Sequence, residues 1–244
     1  MQTSLRLYLM QLNGGVHMSS RRNLSLAPRA EDTRDAQPIS VVNFELSEIK
    51  EHFDQSLTAI NNQFEVASSL GSDGKIDDQK NIYRSQIVFL ESAFDFYLHE
   101  LTKYGLRKML AGSWQKTERY KNLKIPMKHV ERGLNDPSAI QWFVECINEA
   151  YSRDVMTAYE YLKDQMNMLG ISLVDILKSA FSEKDKPQKV IIDLYDRRNQ
   201  IAHQTDRAHA DASQADISEE YVKERIAEIN TIVMALHQAS LEKG

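Results

Sequence analysis

From about Asp77 to Leu110 the chain runs without a proline. Ile82, Ile87, Val88, Phe89, Leu90, Ala93, Phe94, Phe96, Tyr97, Leu98 and Leu101 cover more than one face of a helix there. A helix that is apolar nearly all round does not sit on a protein surface. It is buried at the centre of a bundle or shared between two protomers. Glu91 and Asp95 interrupt the pattern, one helical turn apart. They read as the wet edge of this helix, with the alternative that one of them faces Arg198.

A central helix needs partner helices, and the rest of the chain offers them. Phe44, Ile49, Phe53, Leu57, Ile60 and Phe64 recur at helical spacing over residues 43–69. Gly71-Ser72-Asp73-Gly74 then supplies the stop. Asn135-Asp136-Pro137 reads as a helix start, with Asp136 as N-cap, ahead of Ile140, Phe143, Val144 and Ile147. Either that helix continues or a second begins near Asp154; Tyr159, Leu162, Met166 and Leu169 follow at helical spacing until Gly170, and a short helix follows over residues 172–181. A last helix starts at Asp216 or Ser218, where Asp216 and Glu219 resemble a capping box. In it Val222, Ile226, Ile229, Val233 and Leu236 form a narrow seam suited to packing along another long helix. With 9 Gly and 5 Pro in 244 residues, an all-β fold with many tight turns is excluded, and the expected class is all-α. The helical domain is expected over residues 41–244. Residues 1–40 mix Ser, Arg, Gly, Pro and Asp without a period. They read as a disordered, solvated tail carrying Arg21, Arg22, Arg29 and Arg34, with Met18 as an alternative first residue.

No run approaches the roughly 20 apolar residues of a membrane span. Residues 5–10 are too short and broken for a signal-peptide core. Cys146 is the only cysteine, which excludes an intrachain disulfide and a multi-cysteine zinc site. It lies in an apolar helical run, as a buried structural thiol does. A cytoplasmic protein without metal or other cofactor is expected.

The net charge of -5 means that the molecule as a whole does not attract nucleic acid, so RNA binding would need a local patch. One stretch, residues 103–135, qualifies as a basic insert. Lys103, Arg107, Lys108, Lys116, Arg119, Lys121, Lys124, Lys128 and Arg132 face only Glu118 and Glu131, with Tyr104, Trp114 and Tyr120 interleaved. Lysines and arginines neutralise phosphates, and aromatic rings stack on unpaired bases. Lys103, Arg107, Lys108, Lys116, Arg119 and Lys121 are therefore candidate RNA contacts. The other reading is a solvated loop whose aromatic rings plug the core.

The chemistry concentrates in Asp193-Leu194-Tyr195-Asp196-Arg197-Arg198-Asn199-Gln200-Ile201-Ala202-His203-Gln204-Thr205-Asp206. Val190, Ile191, Leu194 and Ile201 make it an apolar-sided helix that ends in a polar loop. Ile201 and Ala202 are expected to anchor that end in the core, which puts His203 in the last turn, where unpaired carbonyls favour a cation. Histidine gives and takes protons near neutrality. Arg198 offers a planar fork matched to phosphate oxygens. Asn199 orients the histidine or bonds the phosphate or ribose. Such a set suits RNA cleavage by the internal 2′-OH: one group takes its proton, another protonates the leaving 5′-oxygen, and positive charge stabilises the pentacoordinate phosphorus. One histidine is too few for both proton transfers, and a two-fold dimer would supply a second. The apolar central helix and the seam of the last helix both offer surfaces for it.

Arg198-Asn199-Gln200-Ile201-Ala202-His203 resembles the Arg-polar-x-x-x-His signature of the HEPN superfamily, and residues 87–101 resemble the early helix of its RiboL-PSP and MAE types. The resemblance implies an up-and-down helical bundle that dimerises. It further implies a metal-independent endoribonuclease of a toxin–antitoxin, abortive-infection or other anti-phage system. Arg198 and His203 would be the catalytic pair and Asn199 the polar residue between them, with Arg197 outside the pattern as a phosphate contact. An antitoxin or neighbouring defence protein would be a further partner. Some members are non-catalytic binding or assembly modules, and that is the alternative expectation.

Overall fold

The computed structural model describes residues 42–136, 140–151, 154–208 and 211–243. The expected tail lies outside them, as does Pro137. The apolar stretch forms half of a long hairpin of two helices, α1 (Leu46–Ser72) and α2 (Ile76–Leu110). Glu45 and Glu48 close a reciprocal capping box at the start of α1. Gly74, at φ 75°, makes the turn, a conformation that costs glycine nothing. The pairing is antiparallel: Phe53 meets Tyr97 at 5.7 Å between ring centroids, Gln86 donates to the Ile60 carbonyl at 2.9 Å, and Phe64 meets Tyr83 at 6.2 Å.

Two later helices complete the bundle, α8 (Lys189–Gln204) and α9 (Glu219–Leu241). Contacts of α8 with α2 run from Arg198 on Glu91 to Asp206 on Arg84, so these two helices are antiparallel. The Tyr83 hydroxyl bonds Glu219 at 3.1 Å and the Tyr97 hydroxyl bonds the Val233 carbonyl at 3.4 Å, so α9 runs parallel to α2. The order is up, down, up, down, with α2 against all three others. Between α2 and α8 lie five shorter helices: α3 (Glu118–Lys121), α4 (Met127–Asn135), α5 (Gln141–Tyr151), α6 (Tyr159–Met168) and α7 (Leu173–Ala180). No strand occurs among the described residues, and no helix there is long and apolar enough to cross a membrane.

The central helix ends at Leu110 as expected, so the first residues of the basic insert lie on α2. Most of the expected elements are present, and three details differ. Asn135 and Asp136 end α4 rather than start the next helix. Ser218 caps α9 by accepting from the Tyr221 N–H, while Asp216 pairs with Lys80 at 2.7 Å. The seam of α9 is filled within one chain: Val222, Ile226, Ile229, Val233 and Leu236 are all buried. A seam consumed by α2, α7 and α8 has nothing left for a second protomer.

Candidate functional site

The motif occupies the end of α8. Arg198 lies against α2, where its Nε donates to Glu91 at 2.9 Å and its Nη1 to the Asn199 Oδ1 at 2.9 Å. Glu91 is not a wet edge; its side chain is 1% exposed. It also accepts from the hydroxyl of Thr157, in the connection between α5 and α6. Burial pushes the Glu91 carboxyl above its ordinary value, opposed by the bonds from Thr157 and Arg198. One turn along α2, Asp95 accepts the Met156 N–H at 2.7 Å, and His99 bonds the Asp154 carbonyl at 3.0 Å. One face of α2 thus fixes residues 154–157 and, through Glu91, the arginine.

Glu91 has a measurable pH signature. Its folded carboxyl keeps a proton above the ordinary value of 4.5, so its contribution to stability is fully present below that value and is lost as pH rises through the shifted one. Relative to Glu91→Gln, the wild type should therefore lose stability as pH rises through this window. Paired denaturant titrations over a pH series would read it, and parallel curves would contradict it.

His203 stands in the last turn of α8 and is exposed. It lies four residues after Asn199, on the same side of the helix. Asn199 therefore sits between the arginine that it bonds and the histidine one turn on. The expected anchor of this end is corrected. Ala202 is exposed, and Ile201 packs half-buried against the core, so apolar burial holds this end only in part, and charge adds to it. After Thr205 at φ 49°, Asp206 turns the chain off the helix at φ 61°, a left-handed conformation that aspartate tolerates better than most residues. Its side chain, 1% exposed, meets Arg84 of α2 at 2.8 Å and Arg197 of α8 at 2.7 Å. The same two guanidiniums donate onward to the Ala215 and Asp216 carbonyls at 2.8 and 3.0 Å. One buried carboxylate thus ties two helices and both described ends of the loop. Arg197, expected at an RNA phosphate, is turned inward to this clamp instead.

A family model described as RiboL-PSP-HEPN matches residues 42–242, from the start of the hairpin to the end of α9. The chain belongs to the RiboL-PSP-HEPN family. No curated protein and no solved structure matches it. In this RiboL-PSP-HEPN domain the signature residues Arg198 and His203 lie on one helix, and Asn199 accepts from Arg198.

The basic stretch of the RiboL-PSP-HEPN domain is elsewhere. Lys103, Arg107 and Lys108 ride the far end of α2, with Lys103 roughly 18 Å along the axis from Glu91. They pair with Glu100 at 2.6 Å (Lys103) and with Glu45 at 3.8 and 3.2 Å (Arg107, Lys108). Arg119 pairs with Asp164 at 2.8 Å, Lys121 with Glu118 at 2.6 Å, and Lys116 lies over the Tyr120 ring. Carboxylates from α1 and α6 thus offset an excess that looked unbalanced in the linear chain. Trp114 is buried beside Gly105 and Leu169, so this ring belongs to the core and is closed to bases. Cys146 is buried as expected, and burial raises its thiol pKa.

Glu91 facing Arg198 is the alternative that the sequence offered, whereas Thr157, Arg84 and Asp206 lie around the motif without having been singled out. A further signal existed on α2. Arg84 and Glu91 are opposite charges seven residues apart on a helix that must be buried, and a buried charge needs a partner. Among the described residues no group of three or more His, Cys, Asp or Glu is placed to hold a metal ion.

Proposed function

We propose that this protein is an endoribonuclease that cleaves RNA without a metal, by attack of the internal 2′-OH, in a site shared between two protomers. The observation that carries the reading is an exposed His203 at the same helix end as an Arg198 held from behind by the buried Glu91. In that arrangement Arg198 Nε and Nη1 are oriented by Glu91 and Asn199, while Nη2 donates no hydrogen bond among the described residues. A pre-aimed cationic fork stabilises charge developing on a phosphorane without reorganising when it forms. His203 takes or gives the proton, and the second protomer's site supplies the complementary transfer. Membership of the RiboL-PSP-HEPN family supports a role in a toxin or anti-phage defence system, with an antitoxin or neighbouring defence protein as further partner.

One observation favours a second reading. The Arg198–Glu91 pair also serves as a buried structural tie, as in a non-catalytic binding or assembly module. The deciding assay presents total RNA and defined single strands to purified protein in EDTA. Cleavage leaving 2′,3′-cyclic phosphate ends is expected. Activity that requires a divalent metal overturns the mechanism, and intact RNA of every class favours the module.

A further inference from the structure

We infer that the groove between α2 and the end of α8 is a nucleobase subsite, which takes one unpaired base of an RNA strand whose backbone passes Arg198. Between Ile82 and Leu110, α2 exposes only Phe89, Ser92 and Phe96. Phe89 is 51% exposed. Its ring lines a groove of about 360 Å³, together with Val88 beside it and Ile201 from α8. These three make the apolar part of the lining. Asn81 and Ser85 extend the same face of α2 toward its start, and Gln214 joins from the loop after α8. These three make the polar part.

The chemistry of the lining selects the ligand. Arg84 also borders the groove, but its guanidinium is fully engaged. It donates to Asp206, to the Asn81 Oδ1 and to the Ala215 carbonyl at 2.8, 3.3 and 2.8 Å. The groove therefore has no charged group left for a phosphate. Its two amides are each half-used. Asn81 accepts from Arg84 through Oδ1, which leaves its NH2 without a bond among the described residues. Gln214 donates through Nε2 to the Thr205 carbonyl at 3.0 Å, which leaves its Oε1 without one. An apolar side chain seated here would strand that donor and that acceptor away from water, at a cost. A nucleobase matches both, because its edge carries donors and acceptors together and its face stacks on an aromatic ring. A base in a duplex has that edge taken by its partner. The ligand is thus a single-stranded segment or loop.

The position fits a nucleotide beside the motif. Arg198 and Ile201 are neighbours on the surface of α8, three residues apart. Ile201 lies only about 5 Å further along the axis. A phosphate on Arg198 therefore leaves its adjoining base at the Ile201 end of the groove. The subsite itself stands on the groove; its link to the scissile phosphate rests on the nuclease reading above.

The test measures binding and cleavage on the full chain. Binding is read by fluorescence anisotropy with a short single-stranded RNA whose 2′-oxygens are all methylated, so that internal attack cannot cleave it. In a series of such strands, each lacking one base, affinity should fall roughly tenfold at one position. The same sequence in a duplex should bind more weakly by a similar factor. Phe89→Ala should weaken the intact strand about tenfold and erase the penalty for the missing base. Its melting temperature should stay at the wild-type value, because the ring already faces solvent. Phe89→Trp should restore binding. Gln214→Leu should narrow the difference among strands that vary only at that base. A flat series, equal binding of duplex and single strand, or a Phe89→Ala that binds as the wild type does overturns the subsite. So does a Phe89→Ala whose sedimenting mass changes while its RNA affinity does not, because the ring then packs on protein. The series of missing bases uses wild-type protein alone and decides the matter if Phe89→Ala misfolds. If the binding pattern appears but no strand with free 2′-OH groups is cleaved, the nuclease reading fails and the subsite stands. If such strands are cleaved in EDTA with one KM by wild type and Phe89→Ala, the subsite fails and the nuclease reading stands.

Discussion

Replacing His203 with alanine is expected to lower RNA cleavage by roughly 10²–10⁴-fold, the usual worth of a general acid or base, and to leave the fold unchanged. The second half follows from position. His203 is exposed, in the final turn of α8, and no described contact of the bundle rests on its ring. Loss of activity in His203→Ala would therefore report on chemistry. Arg198 needs a different substitution. Arg198→Ala would strip the buried Glu91 of its counter-charge, and breaking a buried pair costs about 3–5 kcal/mol at the upper end, less here because Arg198 is 27% exposed. Its effect would mix chemistry with folding. Arg198→Lys keeps a cation near Glu91 but loses the planar fork, so a large fall in kcat with a small change in melting temperature is the expected result. Single-turnover cleavage in EDTA, paired with thermal unfolding, checks both. Wild-type rates in His203→Ala would remove the histidine from the mechanism.

The second large effect is expected at Asp206, which no phosphate would touch. Asp206→Ala leaves Arg84 and Arg197, with side chains 7% and 13% exposed, facing each other without their shared carboxylate. The expected destabilisation is about 3–5 kcal/mol, a fall in Tm of roughly 10 °C for a domain of this size. Alanine also tolerates the left-handed backbone at Asp206 less well than aspartate does. Asp206→Asn separates the two effects, since asparagine accepts that backbone and carries no charge. If the carboxylate is the source of the stability, Asp206→Asn should fall most of the way to Asp206→Ala. A loss under 1 kcal/mol in Asp206→Asn, by chemical denaturation, would show that turn geometry and not charge holds the end of α8.

These two sites differ in how far the linear chain disclosed them. His203, Asn199 and Arg198 were legible because their chemistry and spacing are local: three polar groups within two turns at the end of an apolar-sided helix. Cys146 and the stop at Gly170 were legible for the same kind of reason, a pattern contained in one element. Asp206 was not. It stands in a loop with several other acids, and nothing near it in sequence marks it as the one that two arginines from α2 and α8 would claim. Glu91 was half legible: Arg198, 107 residues later, was offered as a partner only as the alternative to a wet edge, because the fold and not the local pattern decides which polar positions are buried.

The sequence by itself determined the all-α class, the long hairpin, the central place of α2 and the motif at the end of α8. These follow from hydrophobic period, stop residues and residue chemistry, which are properties of short windows. Tertiary structure alone decided which charges meet. It buried the α9 seam inside one chain, where a dimer surface was expected. It balanced the basic stretch with Glu45 and Asp164, and turned Arg197 inward to Asp206. It left Phe89, Ser92 and Phe96 as the only open line of α2 between Ile82 and Leu110. The physical reason is that an ion pair, or an exposed face, depends on what the fold brings within a few ångströms, and that distance is not written in the spacing of residues along the chain.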